Sequence, residues 1–596
     1  MVKCLSGAVC VGLLTAHVLA DEPATLPAGD TPQPTTLTSA TEPMAATPDT
    51  LPASTATPRP LGYVGSVRPD TLQGGNDFLP LSDRWRIGLP GNYLEDRRDS
   101  RGLLTDPYNQ NILKGDYPVI DDDKFFVLTV TSDTLFEARK LPVPSGVSSA
   151  SGSRFDFFGQ GDQQLIVQNT LISAELFKGD AGFKPKDWAL RATVAYNMNY
   201  VHTSETGLID VNVGDGADRY DEHFGVQELF AEYRLADVSP NFDFLSVRAG
   251  VQPFNADFRG FLFADNQPGV RFFGNADNNR VQYNAAAFAT LEKDTNSGLN
   301  TFDTRDQFVF IANVYRQDFI WEGYTAQLSL AANIDNGDLE FDENGFLARP
   351  SPLGTIDTKH VRAYYLGWAG DGKIGRFNVT HQFYQVFGTE DNNPIAGRDT
   401  TINAQFFAFE LSYDMDWMRY RAGFLWASGD SDPTDGQARG FDSIFDDPNF
   451  AGGGTSFFTR QAIKLTGSGV NLTNRNSMVP DLRTSKEQGQ ANFVNPGLLL
   501  YTVGADFDVT PKLTVTTNVN YLQFDTPETL RLILNDDGIE SDIGLDVSVG
   551  LRYRPLHNNN MIINAGAAAL IPADGFKQLY SSETLYSTFM SLTLTF

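Results

Sequence analysis

Residues 426–445 read WASGDSDPTDGQARGFDSIF and bring four carboxylates, Asp430, Asp432, Asp435 and Asp442, into one short stretch. Clustered carboxylates can hold Ca²⁺; they can also accept backbone N–H groups in tight turns. The spacing is not that of an EF-hand loop, which closes on a bidentate Glu. Pro433, Asp435 and Gly436 favour turns, so a structural role is the leading reading and Ca²⁺ the alternative. A third reading folds the segment inward as a constriction, its acids opposing basic groups on a channel wall. Gly370 to Gly375 (GDGKIG) matches G-x-G-x-x-G, but it joins two strand-like segments and opens no helix, so dinucleotide binding is not expected. His202, His223, His360, His381 and His557 do not cluster at metal-ligand spacing, although His202 and His223 flank one long connection. No nucleophile–base pair stands out. The expectation is no enzyme and no cofactor.

The elements that would carry these residues are strands. Tyr586, Thr588, Met590, Leu592, Leu594 and Phe596 alternate with Ser587, Ser591, Thr593 and Thr595. Ile543, Leu545, Val547, Val549, Leu551 and Tyr553 alternate with Gly544, Asp546, Ser548, Gly550, Arg552 and Arg554. One face suits lipid and the other water. Aromatic residues make up 12% of the chain, and no long apolar run follows the N-terminal segment, so helical spans are excluded. The fold class expected is all-β, a transmembrane antiparallel β-barrel over 123–596. The soluble rival is a large sandwich or propeller. Connections alternate short (236–242, 370–375, 414–416, 509–512, 555–560) and long (202–223, 336–358, 388–400, 429–495). The alternation holds only if a strand is placed near 270–273. That gives about eighteen strands, with sixteen as the alternative.

Placing the apolar positions in lipid turns a set of arginines inward: Arg191, Arg234, Arg248, Arg280, Arg362, Arg376, Arg419, Arg421, Arg552 and Arg554. Glu228, Glu232, Glu410, Asp414, Asp506 and Asp546 face the same way. Rings of arginine favour anions, whereas arginines paired to acids only brace the wall. A register error of one residue would reverse any single assignment.

Residues 427–445 resemble the loop signature of the alginate-export outer-membrane porin family. Asp430, Asp432, Pro433, Asp435, Gly436, Phe441 and Asp442 fall on it, and the strand layout and terminal Phe agree over roughly 124–596. The resemblance implies an eighteen-stranded barrel and, as substrate class, anionic uronate saccharides. Family members of unknown substrate carry the same pattern.

Residues 1–20 read as a secretory signal peptide, and Cys4 and Cys10 both lie within it. Residues 21–60 hold 10 Thr, 9 Pro and 7 Ala and are expected to be a disordered linker. Residues 61–122 would be a periplasmic extension or a plug segment. The net charge of −29 argues against nucleic acid. The function expected is an outer-membrane porin passing small or polymeric solutes by diffusion, anion-favouring, with uronates as the candidate. The rivals are a structural barrel with a plugged lumen and a barrel-embedded hydrolase. The partners expected are outer-membrane lipid, an anionic solute or saccharide, and the barrel assembly machinery acting on the strand that ends in Phe596.

Overall fold

The structure is a computed structural model. It describes residues 112–121, 123–143, 161–179, 185–354, 356–467, 469–470, 475–480, 482–556, 558–580 and 582–596. The expected signal peptide and linker, and residues 61–111 of the expected extension, lie outside the described residues.

Eighteen strands form the wall: β1 Lys124–Lys140, β2 Asp162–Lys178, β3 Trp188–Thr203, β4 Asp218–Asp237, β5 Phe244–Asn255, β6 Ala264–Ala276, β7 Val281–Lys293, β8 Asn300–Arg316, β9 Tyr324–Asp335, β10 Val361–Ile374, β11 Phe377–Asn393, β12 Arg398–Met415, β13 Met418–Ala427, β14 Leu498–Thr510, β15 Leu513–Gln523, β16 Asp542–Tyr553, β17 Met561–Pro572 and β18 Leu585–Thr595. Each pairs antiparallel with the next. β1 then pairs with β18, from Thr131 opposite Thr595 to Arg139 opposite Ser587, and the sheet closes. Over the paired span, Thr131 to Arg139, closure leaves no free edge, as a sheet standing in lipid requires.

Side-chain burial follows the two-residue period. Arg362, Tyr364, Leu366 and Trp368 of β10 are exposed, and Val361, Ala363 and Tyr365, which alternate with them, are buried. Leu545, Val547, Val549, Leu551 and Tyr553 of β16 are likewise exposed apolar residues, which is the lipid face. Ile543, expected on the same face, does not follow: the register shifts between Asp542 and Gly544, and Ile543 is fully buried in the core cluster with Phe576.

The parity argument holds. β6 is the strand placed near 270–273, and it puts 317–323 on the same side as the other short turns. Two boundaries differ from expectation. Residues 388–400 are not a long loop, because β11 runs to Asn393 and β12 begins at Arg398. The 202–223 connection shrinks to 204–217 for the same reason. Polar residues such as Glu390 and Thr400 break the hydropathy pattern there, but both are buried inside the barrel mouth, where a strand tolerates them.

One further strand, Lys114–Ile120, turns back along the start of β1: Ile120 lies opposite Lys124 and Lys114 opposite Val127. It continues the edge where β18 ends. The Val130 carbonyl accepts from the Phe596 N–H at 2.8 Å, and the Leu128 N–H donates to the Leu113 carbonyl at 2.7 Å.

Candidate functional site

The long connection 428–497 enters the lumen. Phe441 is fully buried among inward side chains of three neighbouring strands: Tyr365 of β10, Tyr384 of β11 and Phe406 of β12, with ring centroids 6.4, 6.5 and 4.8 Å away. Helix α1, Phe457–Gln461, docks on the opposite wall. There Asp546 of β16 accepts from the Phe457 and Phe458 N–H groups at 3.2 and 3.1 Å and also binds the Ser456 hydroxyl. Asn518 and Asn520 of β15 both donate to the Ala451 carbonyl at 2.9 Å. The shorter connection 256–263 folds inward beside it, with Phe261 5.0 Å from Phe406.

The signature residues build this loop. The Asp430 carboxylate accepts from the Asp432 N–H, Asp432 from Thr434, and Asp435 from the Gln437 N–H at 2.7 Å. These are side-chain-capped turns, with Pro433 between the first two. Gly436 gives its carbonyl to Thr401 of β12. Arg439 spans Asp430 and Asp435, and its guanidinium holds the Asp435 carboxyl below the usual range. The carboxylates do not converge on one point. Among the described residues, three metal-capable side chains meet only elsewhere, at His223, Asp294 and Glu343.

The constriction reading needs one correction. The loop acids do not oppose the wall arginines. Asp442 is buried against Arg483 at 2.9 Å and Lys486 at 3.3 Å, both within the same loop, and these cations hold its carboxyl well below the ordinary range. The charge that crosses to the wall is basic: Arg460 of α1 meets Glu137 of β1 at 2.7 Å, both fully buried. Burying a carboxylate is costly unless it is paired or hydrogen-bonded: Glu137 and Asp442 take cations, whereas Asp546 is held by N–H and hydroxyl donors.

The ten arginines divide into groups. Arg191 meets Glu228 at 2.7 Å, Arg248 meets Glu232 at 2.7 Å, Arg421 meets Asp506 at 3.0 Å, Arg234 pairs with Asp187, and Arg419 with Asp414. These five face inward and are braced by acids. Arg362 does not line the lumen: it shares the face of Tyr364 and Leu366, at the long-loop end of β10. Arg280 and Arg376 lie in the exposed turns 277–280 and 375–376. Arg552 continues the inward register of Asp546 and Ser548, and Arg554 follows the strand end. Among the described residues neither has an ion-pair partner.

Sequence reasoning missed Arg271. It lies directly opposite Arg248 on the adjacent strand, and both guanidinium groups stack on Phe273, at 4.6 and 5.4 Å from the ring centre. Its register was available once β6 was drawn. Arg460, Arg483 and Lys486 sit in a loop with no period, so nothing local marked them as buried.

Closure, the lipid-facing belt and the inward polar register define a transmembrane β-barrel of the bacterial outer-membrane type. Solved barrels of similar course include a BenF-like porin from Pseudomonas fluorescens Pf-5, 10% identical over 79% of this chain and 98% of that one, with a TM-score of 0.44. OccAB1 of Acinetobacter baumannii is 11% identical over 80% and 97%, with a TM-score of 0.45. OpdQ of Pseudomonas aeruginosa is 10% identical over 80% and 99%, with a TM-score of 0.42. No family model matches the chain, and no curated protein matches it. The resemblance to the alginate-export family gains nothing from these comparisons.

Proposed function

We propose that the protein is a diffusive outer-membrane channel, not an enzyme, that favours small anionic solutes. The observation that carries this is the basic inward surface left after pairing. Arg552 and Arg554 have no ion-pair partner among the described residues, and Arg248, paired with Glu232, lies directly opposite Arg271 on the adjacent strand. Arginine stays ionised and grips carboxylates bidentately, so acidic solutes, uronate sugars included, fit the chemistry. The firmly held loop suits short solutes better than polymers.

Planar-bilayer recording tests it. Steady conductance with a reversal potential of anion-preferring sign is expected, and Arg552→Ser with Arg554→Ser should weaken the preference. Cation preference would overturn it. A second reading is a plugged structural barrel, favoured by the burial of 428–497; folded protein that never conducts would establish that reading instead.

A further inference from the structure

We propose that His223, Asp294 and Glu343 form a binding site for a borderline divalent metal ion such as Zn²⁺ at the long-loop mouth of the barrel. His223 projects inward from β4, Asp294 opens the turn after β7, and Glu343 lies in the 336–360 connection. One donor atom from each comes within 4.8 Å of the other two. His223 Nδ1 and Asp294 Oδ1 are already 3.0 Å apart. Two donors held about 2.1 Å from a tetrahedral ion stand roughly 3.4 Å apart. The wall therefore presents half of a coordination sphere ready-made, and the exposed Glu343 needs only a small swing to complete it.

The ring orientation supports this. His223 Nε2 is 3.4 Å from the Asn300 carbonyl. With Nε2 turned to that carbonyl, Nδ1 faces the Asp294 oxygen, where it holds either a proton, as an imidazolium paired to Asp294, or a metal ion in its place. A backbone carbonyl on the far nitrogen is the usual support for a metal-bound imidazole. Asp294 is fixed from behind, its other oxygen accepting from the Ser297 N–H and hydroxyl at 2.7 and 2.5 Å. The Glu343 N–H donates to Thr295 at 3.2 Å, and Asn344 donates to Asn296 at 2.9 Å, so the backbone bearing Glu343 is fastened beside the other two.

The surroundings are strongly acidic. Asp221, Asp294, Asp342 and Glu343 all act on one guanidinium, that of Arg219. A small polar cleft adjoins the site; Asp294, Asp342 and Glu487 line it, with Lys464 as its basic residue. It offers a cation a path from the mouth. One imidazole and two carboxylates suit Zn²⁺ better than Mg²⁺ or Ca²⁺, which prefer all-oxygen shells.

The test is calorimetric titration of the tag-free, detergent-folded full chain with ZnCl₂, alongside MgCl₂ and CaCl₂. One saturable Zn²⁺ site is expected, at least about tenfold tighter than for either hard ion and weakened at least about tenfold in His223→Ala and in Glu343→Gln. Glu343 is exposed, so its variant folds even where a wall substitution does not, and a heat-shifted gel band checks both. His202→Ala should bind as the parent does. No saturable Zn²⁺ uptake by the parent chain, or uptake unchanged in Glu343→Gln, would overturn the proposal.

Discussion

Charge at the residue scale is decided by partners more than by position. The strict period of two decides the face an arginine takes, with Arg191 turned inward and Arg362 outward. The partners of the arginines could not be read, since Glu232 and Arg248, or Asp506 and Arg421, meet only when the strand register is known. The fully buried Arg460–Glu137 pair makes the sharpest prediction. Glu137→Ala leaves a guanidinium uncompensated and should cost about 3–5 kcal/mol, seen as a lower unfolding midpoint and faster proteolysis within 428–497. Replacing both residues by apolar ones of similar volume should cost far less. Asp442 makes the second prediction. Its carboxyl is depressed below its unfolded value of 3.8, so the stability it contributes is complete above that pH and is lost as the pH falls below it. Loop protection against protease should therefore drop in that acid window, and Asp442→Asn should remove the pH dependence.

Elements differ in how openly the sequence declares them. A strand between lipid and water repeats a chemical contrast at every step, so β16 and β18 could be read residue by residue. Where both faces are polar the contrast fades: Thr389 and Thr401 are exposed and Glu390 and Thr400 buried, which is why the ends of β11 and β12 looked like loop. The connection 428–497 was hardest. Its turn chemistry at Asp430, Asp432 and Asp435 was legible, because Asx and Gly act locally, but its docking depends on aromatic contacts with residues far away in sequence. Phe441→Ala tests that docking. Loss of a buried phenyl should cost about 3–5 kcal/mol and loosen the loop while β10 to β12 stay intact. Register is checked by thiol labelling. Val549→Cys should react with a lipophilic maleimide, and Arg552→Cys with a water-soluble one. The reverse pattern would mean that β16 is one residue out of step.

For the whole molecule, permeation is set by what the loop leaves open. Replacing residues 440–494 with a short Gly/Ser link should raise single-channel conductance several-fold, because the wall closes without it. Unchanged conductance would place the narrowest point elsewhere. The strand Lys114–Ile120 has a different consequence. The ring closes on a slant, so β1 outruns β18 and would leave part of its backbone unpartnered beyond Phe596. Left bare, that stretch would invite the first strand of a neighbouring copy, and folded barrels would chain together through their seams. The returning strand occupies that position itself, and the seam of the tilted cylinder is filled from within the same chain.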